Sequence, residues 1–127
     1  MKREILTNDA PKPIGPYSQA IKSGSLIFLS GIIPVDPGTG EVVRGDIRRA
    51  TEQVLRNASS ILRAAGASLE NVAKVSVFMK DLRLFNEMND VYSKWFKKPY
   101  PARTTVQVSA LPRDVDIEMD FIAETSD

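Results

Sequence analysis

The last quarter of the chain alternates between apolar and polar positions. Val106 and Val108 fall on one side, and Arg103, Thr105 and Gln107 on the other. Further on, Val115, Ile117, Met119 and Phe121 share a side, with Asp116, Glu118 and Asp120 opposite. Period two predicts two strands. Val72–Lys80 is a third, with Val75, Val77 and Met79 on one face, and Leu26–Ser30 is apolar on both faces, as a central strand requires. Tyr17–Lys22 and Ser25–Ser30 flank Ser23-Gly24, a hairpin turn signal, and Arg3–Thr7 is a further short strand.

Elsewhere the spacing changes to three and four. Ile47, Ala50, Val54, Leu55, Ala58, Ile61, Leu62 and Ala65 form one stripe and predict a helix over Asp46–Ala65, capped by Asp46 and stopped at Gly66. A second helix is expected after a cap at Asp81, with Leu82, Phe85, Met88, Val91, Tyr92, Trp95 and Phe96 on its apolar face and Lys97-Lys98-Pro99 at its end. Trp95 and Phe96 read as core or subunit interface.

This order predicts an α+β fold: one domain over residues 1–127, with a mixed sheet of about six strands and two helices on one face. Each strand–helix–strand unit demands a right-handed crossover and some parallel pairing. The other face, assigned Phe78, Ile122, Thr105 and several charges, is too apolar for water and too polar for a monomer core, which predicts oligomerisation through it. If the apolar faces of the last two strands both back onto helices, Arg103 and Glu118 share that outer face. Such a pair is either an ion pair, common on surfaces and worth little, or a site.

Composition narrows the chemistry. The 127 residues carry a net charge of +1 and contain neither Cys nor His. Thiolate nucleophiles, histidine acid–base catalysis and Cys/His zinc sites are excluded. Phosphate-loop motifs are absent, no dense carboxylate cluster suggests a metal, and the charge balance does not suit a nucleic-acid binder. Arg48, Arg49, Arg56 and Arg63 read as a solvated helix face. Met1–Asp9 lacks the apolar run of a secretory signal, and no stretch approaches the ~20 apolar residues of a membrane helix, so a cytoplasmic protein is expected. Asn8–Pro16 holds Pro11, Pro13, Gly15 and Pro16; it reads as a stiff loop, either a plain connector or a support for Tyr17. Gly31, after a buried strand, marks a bulge or a close approach to a ligand or another chain.

Five segments together resemble the Rid (YjgF-like) family of reactive-intermediate deaminases. They are Ala10-Pro-Lys-Pro-Ile-Gly-Pro-Tyr-Ser-Gln-Ala, Leu29-Ser-Gly-Ile-Ile-Pro-Val-Asp-Pro-Gly-Thr-Gly, Val75-Ser-Val-Phe-Met-Lys-Asp-Leu, Tyr100-Pro-Ala-Arg-Thr-Thr-Val and Ala110-Leu-Pro-Arg-Asp-Val-Asp-Ile-Glu. The resemblance spans nearly the whole chain. It implies a chorismate-mutase-like fold, with the strand near Val75 between the last two strands, and a homotrimer with intersubunit clefts. It also implies hydrolysis of enamines and imines of the 2-aminoacrylate and 2-aminocrotonate class to 2-keto acids and ammonia, without cofactor or metal. The family's carboxylate-binding arginine falls on Arg103 and its glutamate on Glu118. Tyr17, Ser30, Gly31, Asn89 and Thr105 match pocket positions. Ile32 replaces a glutamine common in relatives, and Thr105 replaces a cysteine. Two other activities associated with such proteins are endoribonuclease or translation inhibition, which the near-neutral charge disfavours, and metabolite binding without turnover. On the resemblance, Arg103 and Glu118 are expected to flank an intersubunit cleft without touching.

Overall fold

The computed structural model describes residues 1–125. Strands β1 (Arg3–Ile5), β2 (Ala20–Ser23) and β3 (Leu26–Ile32) lead into helix α1 (Ile47–Ala64). Then follow β4 (Val72–Met79), α2 (Phe85–Trp95), β5 (Ala102–Gln107) and β6 (Ile117–Glu124). The six strands form one sheet in the order β1-β2-β3-β6-β4-β5. Only β4 and β5 pair in parallel; the remaining neighbours are antiparallel. The connection from β4 through α2 to β5 is the unit that makes parallel pairing possible, because a helix must span the return. The expected insertion of β4 between the last two strands is present.

Helix α1 begins where the sequence indicates. The Asp46 side chain accepts a hydrogen bond from the Arg49 amide at 3.2 Å, satisfying one of the free donors of the first turn. Gly66 follows the helix at φ 79°, a conformation that suits glycine. Asp81 caps a short 3-10 turn, Leu82–Leu84, and α2 starts only at Phe85. The second helix is therefore shorter than its apolar spacing suggests, and Leu82 is exposed. Tyr17 stands outside β2, in the connecting loop.

The core lies between the sheet and the helices. Val75, Val77, Met79, Ile117, Met119 and Phe121 from β4 and β6 meet Val54, Leu55, Ala58 and Leu62 of α1, all essentially inaccessible. Each large side chain so buried contributes about 1.5–3 kcal/mol.

Strand β5 departs from expectation. Arg103 lies in register with buried Val75, and Thr105 with buried Val77, so both face the helical layer. Val106 faces outward beside Phe78 and is 39% exposed. The shared face assigned to Arg103 and Glu118 is thus corrected, and Thr105 leaves the outer face with it. The cause is position: β5 is an edge strand, where the helices give incomplete cover, so its inward positions accept polar groups. Alternation defines two faces but does not say which is inside.

Candidate functional site

The structure separates the seven candidate residues into two groups. The first surrounds Arg103. Residues Phe85, Asn89 and Tyr92 recur on one face of α2 at steps of four and three, the spacing that aligns side chains along a helix, and Phe96 follows just past its end. That face meets the inward side of β5. Arg103 Nη1 donates to Asn89 Oδ1 at 2.8 Å. The guanidinium carbon stands 4.6 Å from the centroid of Tyr92 and 5.4 Å from that of Phe85, both within cation–π range. Thr105 shares this face two residues along β5. Among the described residues no carboxylate pairs with Arg103; the ion pairs are Arg48–Asp90, Arg56–Glu52, Lys80–Asp114 and Arg83–Asp81. Arg103 is thus a partly buried cation, fixed by one amide and two rings, with donors to spare.

The second group forms around a bulge in β3. The register with β6 shifts between Leu29 and Ile32, so Ser30 and Gly31 oppose one residue of the partner strand. A Cβ on Gly31 would overlap Glu118 Oε2 and stand 3.0 Å from its Cδ, so the glycine makes room for this carboxylate. Of the two readings of Gly31, the bulge is present, and the close approach it produces is to the chain's own Glu118. Glu118 is half-buried on the outer face, in register with Phe78. Burial raises its pKa above the ordinary value of 4.5, and the neighbouring negative charge of Asp120 adds to the rise.

Ser30 Oγ donates to the Ser18 carbonyl at 2.6 Å, and its amide donates to the Gln19 carbonyl at 3.0 Å. These bonds join the bulge to the loop that carries Tyr17, which is 49% exposed. Tyr17 accepts a 3.4 Å hydrogen bond from the Ile14 amide through its hydroxyl. A cleft of about 230 Å³ runs past Lys12, Tyr17, Ser30, Gly31, Ile32 and Arg113.

Three residues that shape these groups were not singled out from sequence. Gln19 is 4% exposed and holds the proline-rich loop: Nε2 donates to the carbonyls of Thr7, Ala10 and Pro11, and Oε1 accepts from the Thr7 amide. Its sequence signals are its place in the Ala10–Ala20 segment and a polar residue just ahead of β2. Tyr92 and Phe85 read as ordinary members of an apolar stripe, yet they form the shelf under Arg103.

Within one chain the two groups do not converge. Arg103 and Glu118 lie on opposite faces, on strands separated by β4, which places those strands about 10 Å apart. Among the described residues no group of His, Cys, Asp and Glu could hold a metal ion, and no helix is long and apolar enough to cross a membrane.

Comparison with known proteins agrees with this architecture. The sequence profile of the family described as Endoribonuclease L-PSP matches residues 7–125. A RutC family protein of Pyrococcus horikoshii is 56% identical over 97% of this chain and 98% of its own. The human 2-iminobutanoate/2-iminopropanoate deaminase is 42% identical, covering 97% of this chain and 90% of its own. The crystal structure of E. coli TdcF with bound serine superposes with a TM-score of 0.93 at 42% identity, over 98% of this chain and 99% of that one.

Proposed function

Because the chain belongs to the endoribonuclease L-PSP (Rid, YjgF-like) family, we propose that it hydrolyses small 2-enamine and 2-imine acids of the 2-aminoacrylate and 2-aminocrotonate class to 2-keto acids and ammonia. The observation that carries this reading is Arg103, a guanidinium held in place by Asn89, Tyr92 and Phe85 and left without a carboxylate among the described residues. An α-carboxylate satisfies it through charge-assisted hydrogen bonds. Arg103 keeps its charge at any working pH, so it anchors and stabilises rather than exchanges protons.

The site is composite in this reading. Arg103, Asn89 and Thr105 come from one copy, and Tyr17, Ser30, Gly31 and Glu118 from the next, in a homotrimer. Two features support the assembly. The outer sheet face exposes Phe28 at 41% and Val106 at 39%, an apolar surface that water does not favour. The two residue groups are moreover too far apart to act together inside one chain.

The reaction consumes one water and releases one ammonia, with no change of oxidation state. A proton reaches the terminal carbon of the enamine and gives the imine. Water then adds to the imine carbon, and the carbinolamine expels ammonia to leave the ketone. Glu118 takes the proton from the attacking water and returns it to the departing nitrogen. Its raised pKa suits a group that must both accept and release protons. The substrate already hydrolyses in water, so positioning supplies much of the required acceleration.

The test is the release of 2-keto acid from a pyridoxal-phosphate-dependent dehydratase that generates 2-aminoacrylate. Adding the wild-type protein is expected to accelerate it, and Arg103→Ala to reduce the effect by about a hundredfold. Equal rates with wild type, Arg103→Ala and buffer alone would overturn the reading.

A further inference from the structure

Arg113 holds a backbone conformation that its residue type rarely adopts, at φ 55° and ψ 21°. Asp114 follows it, also at φ 55°. Successive left-handed residues without a glycine persist only where other contacts fix them, and such strain gathers at ligand clamps. Here three contacts hold the turn. Arg44 Nη2 donates to the Arg113 carbonyl at 2.6 Å, Lys80 pairs with the Asp114 carboxylate, and the Gly45 amide donates to Asp116 Oδ2 at 3.0 Å. All three leave the Arg113 side chain out.

That side chain is exposed and lines the cleft of about 230 Å³ beside Tyr17, Ser30 and Gly31. Lys12, exposed as well, lines the same cleft. Among the described residues, neither the Arg113 guanidinium nor the Lys12 ammonium enters a hydrogen bond or an ion pair. Asp36 brings the cleft's one carboxylate, and its Oδ1 is tied into its own loop by the Gly38 amide at 2.8 Å. Two cations against one carboxylate leave the cleft positive. Ile32, Ile33 and Val35 make part of its wall apolar. A ligand with a short apolar stem and an anionic end suits both features. Gly31 joins this space to the reaction, because it lines the cleft and also abuts Glu118.

We propose that Arg113, assisted by Lys12, is a specificity-determining residue that binds a second carboxylate at the far end of the substrate, so that the cleft accepts dicarboxylic 2-imino acids. A guanidinium suits this task through paired, charge-assisted hydrogen bonds. The proposal rests on the deaminase reading for the reaction, but its core claim concerns recognition of the distal acid.

The test uses the full-length protein and calorimetry with two 2-oxo acids of equal chain length. 2-Oxoglutarate carries a distal carboxylate, and 2-oxopentanoate has a methyl group in its place. Arg113→Gln is expected to weaken 2-oxoglutarate binding about tenfold and to change 2-oxopentanoate binding less than twofold. Arg113→Lys, which keeps the charge, should retain most of the 2-oxoglutarate affinity. Arg113→Gly should lose it as Arg113→Gln does, yet keep the melting temperature of wild type or exceed it, because glycine takes positive φ freely. The proposal is overturned if Arg113→Gln binds 2-oxoglutarate as tightly as wild type, or weakens both ligands equally. It is also overturned if wild type does not bind 2-oxoglutarate, or if Arg113→Gln alters the oligomeric mass in light scattering, which would make Arg113 a subunit contact. Selective loss of 2-oxoglutarate binding in Arg113→Gln, without accelerated keto-acid release by wild type, would overturn the deaminase reading and leave this proposal standing.

Discussion

Arg103 and Glu118 stand on opposite faces of one sheet, with β4 between their strands. Side chains that leave opposite faces of the sheet do not converge on one small substrate within the same chain. If both serve one reaction, each active site takes Arg103 from one copy and Glu118 from its neighbour. Two inactive variants should then rescue each other. Arg103→Ala and Glu118→Ala alone are each expected to retain only about one per cent of wild-type activity. Mixed one to one under conditions that exchange subunits, they should recover about one quarter of it, the share of clefts that draw both intact residues. A mixture no more active than its components would place the whole site within a single chain.

Gly31 is tied to Glu118 by space rather than by a bond. Alanine at 31 would drive a methyl group into the carboxylate, whose half-buried position leaves limited room to yield. Gly31→Ala is expected to cost about 1–3 kcal/mol of stability. It should also reduce deamination as strongly as loss of Glu118, because the displaced carboxylate no longer meets the water. In the Glu118→Ala background the same change should cost little stability. Additive melting-temperature shifts in the double variant would show that the two positions do not compete for space.

Much of this arrangement was legible in the sequence. Asp46 and Gly66 mark the ends of α1, and period-two alternation locates β4, β5 and β6. Six of the seven candidate residues were also legible, since the quoted segments carry all of them but Asn89. The face of β5 was not legible. Val106 and Val108 look like core positions, yet Val106 faces outward and Arg103 faces the helices, because an edge strand inverts the usual meaning of an apolar side. Tyr92 was hidden for a related reason. At helical spacing an aromatic residue reads as packing, and only three-dimensional placement reveals a cation above its ring and a hydroxyl without a partner. Gln19 acts through four hydrogen bonds to a loop of irregular backbone, which no periodicity encodes.

The exposed apolar side chains on the outer face predict the response to charge there. Phe28 pairs across the sheet with Ile122, and neither has a helix above it. Glutamate at position 28 should therefore leave the chain folded by circular dichroism but reduce it to a monomer in light scattering. Activity should fall with the assembly if the site is composite. A monomeric, fully active Phe28→Glu variant would separate catalysis from oligomerisation.

The raised pKa of Glu118 carries two opposite consequences as pH changes. A carboxyl whose folded pKa lies above its unfolded value binds its proton more tightly in the native state. Stability is therefore lost as pH rises from the unfolded value near 4.5 through the folded pKa, and the loss persists above it. Glu118→Gln removes this penalty, so its melting temperature should exceed that of wild type at pH 7 and converge with it below about pH 4.5. Activity should run the other way, because only the ionised carboxylate accepts a proton from water. The acid limb of the pH–rate profile is then governed by Glu118, and it should be absent from whatever residual rate Glu118→Gln retains. Asp120 contributes to the rise through its charge, after burial. Asp120→Asn is accordingly expected to move the acid limb to lower pH without abolishing turnover. An acid limb that stays in place in both variants would assign the titrating group elsewhere.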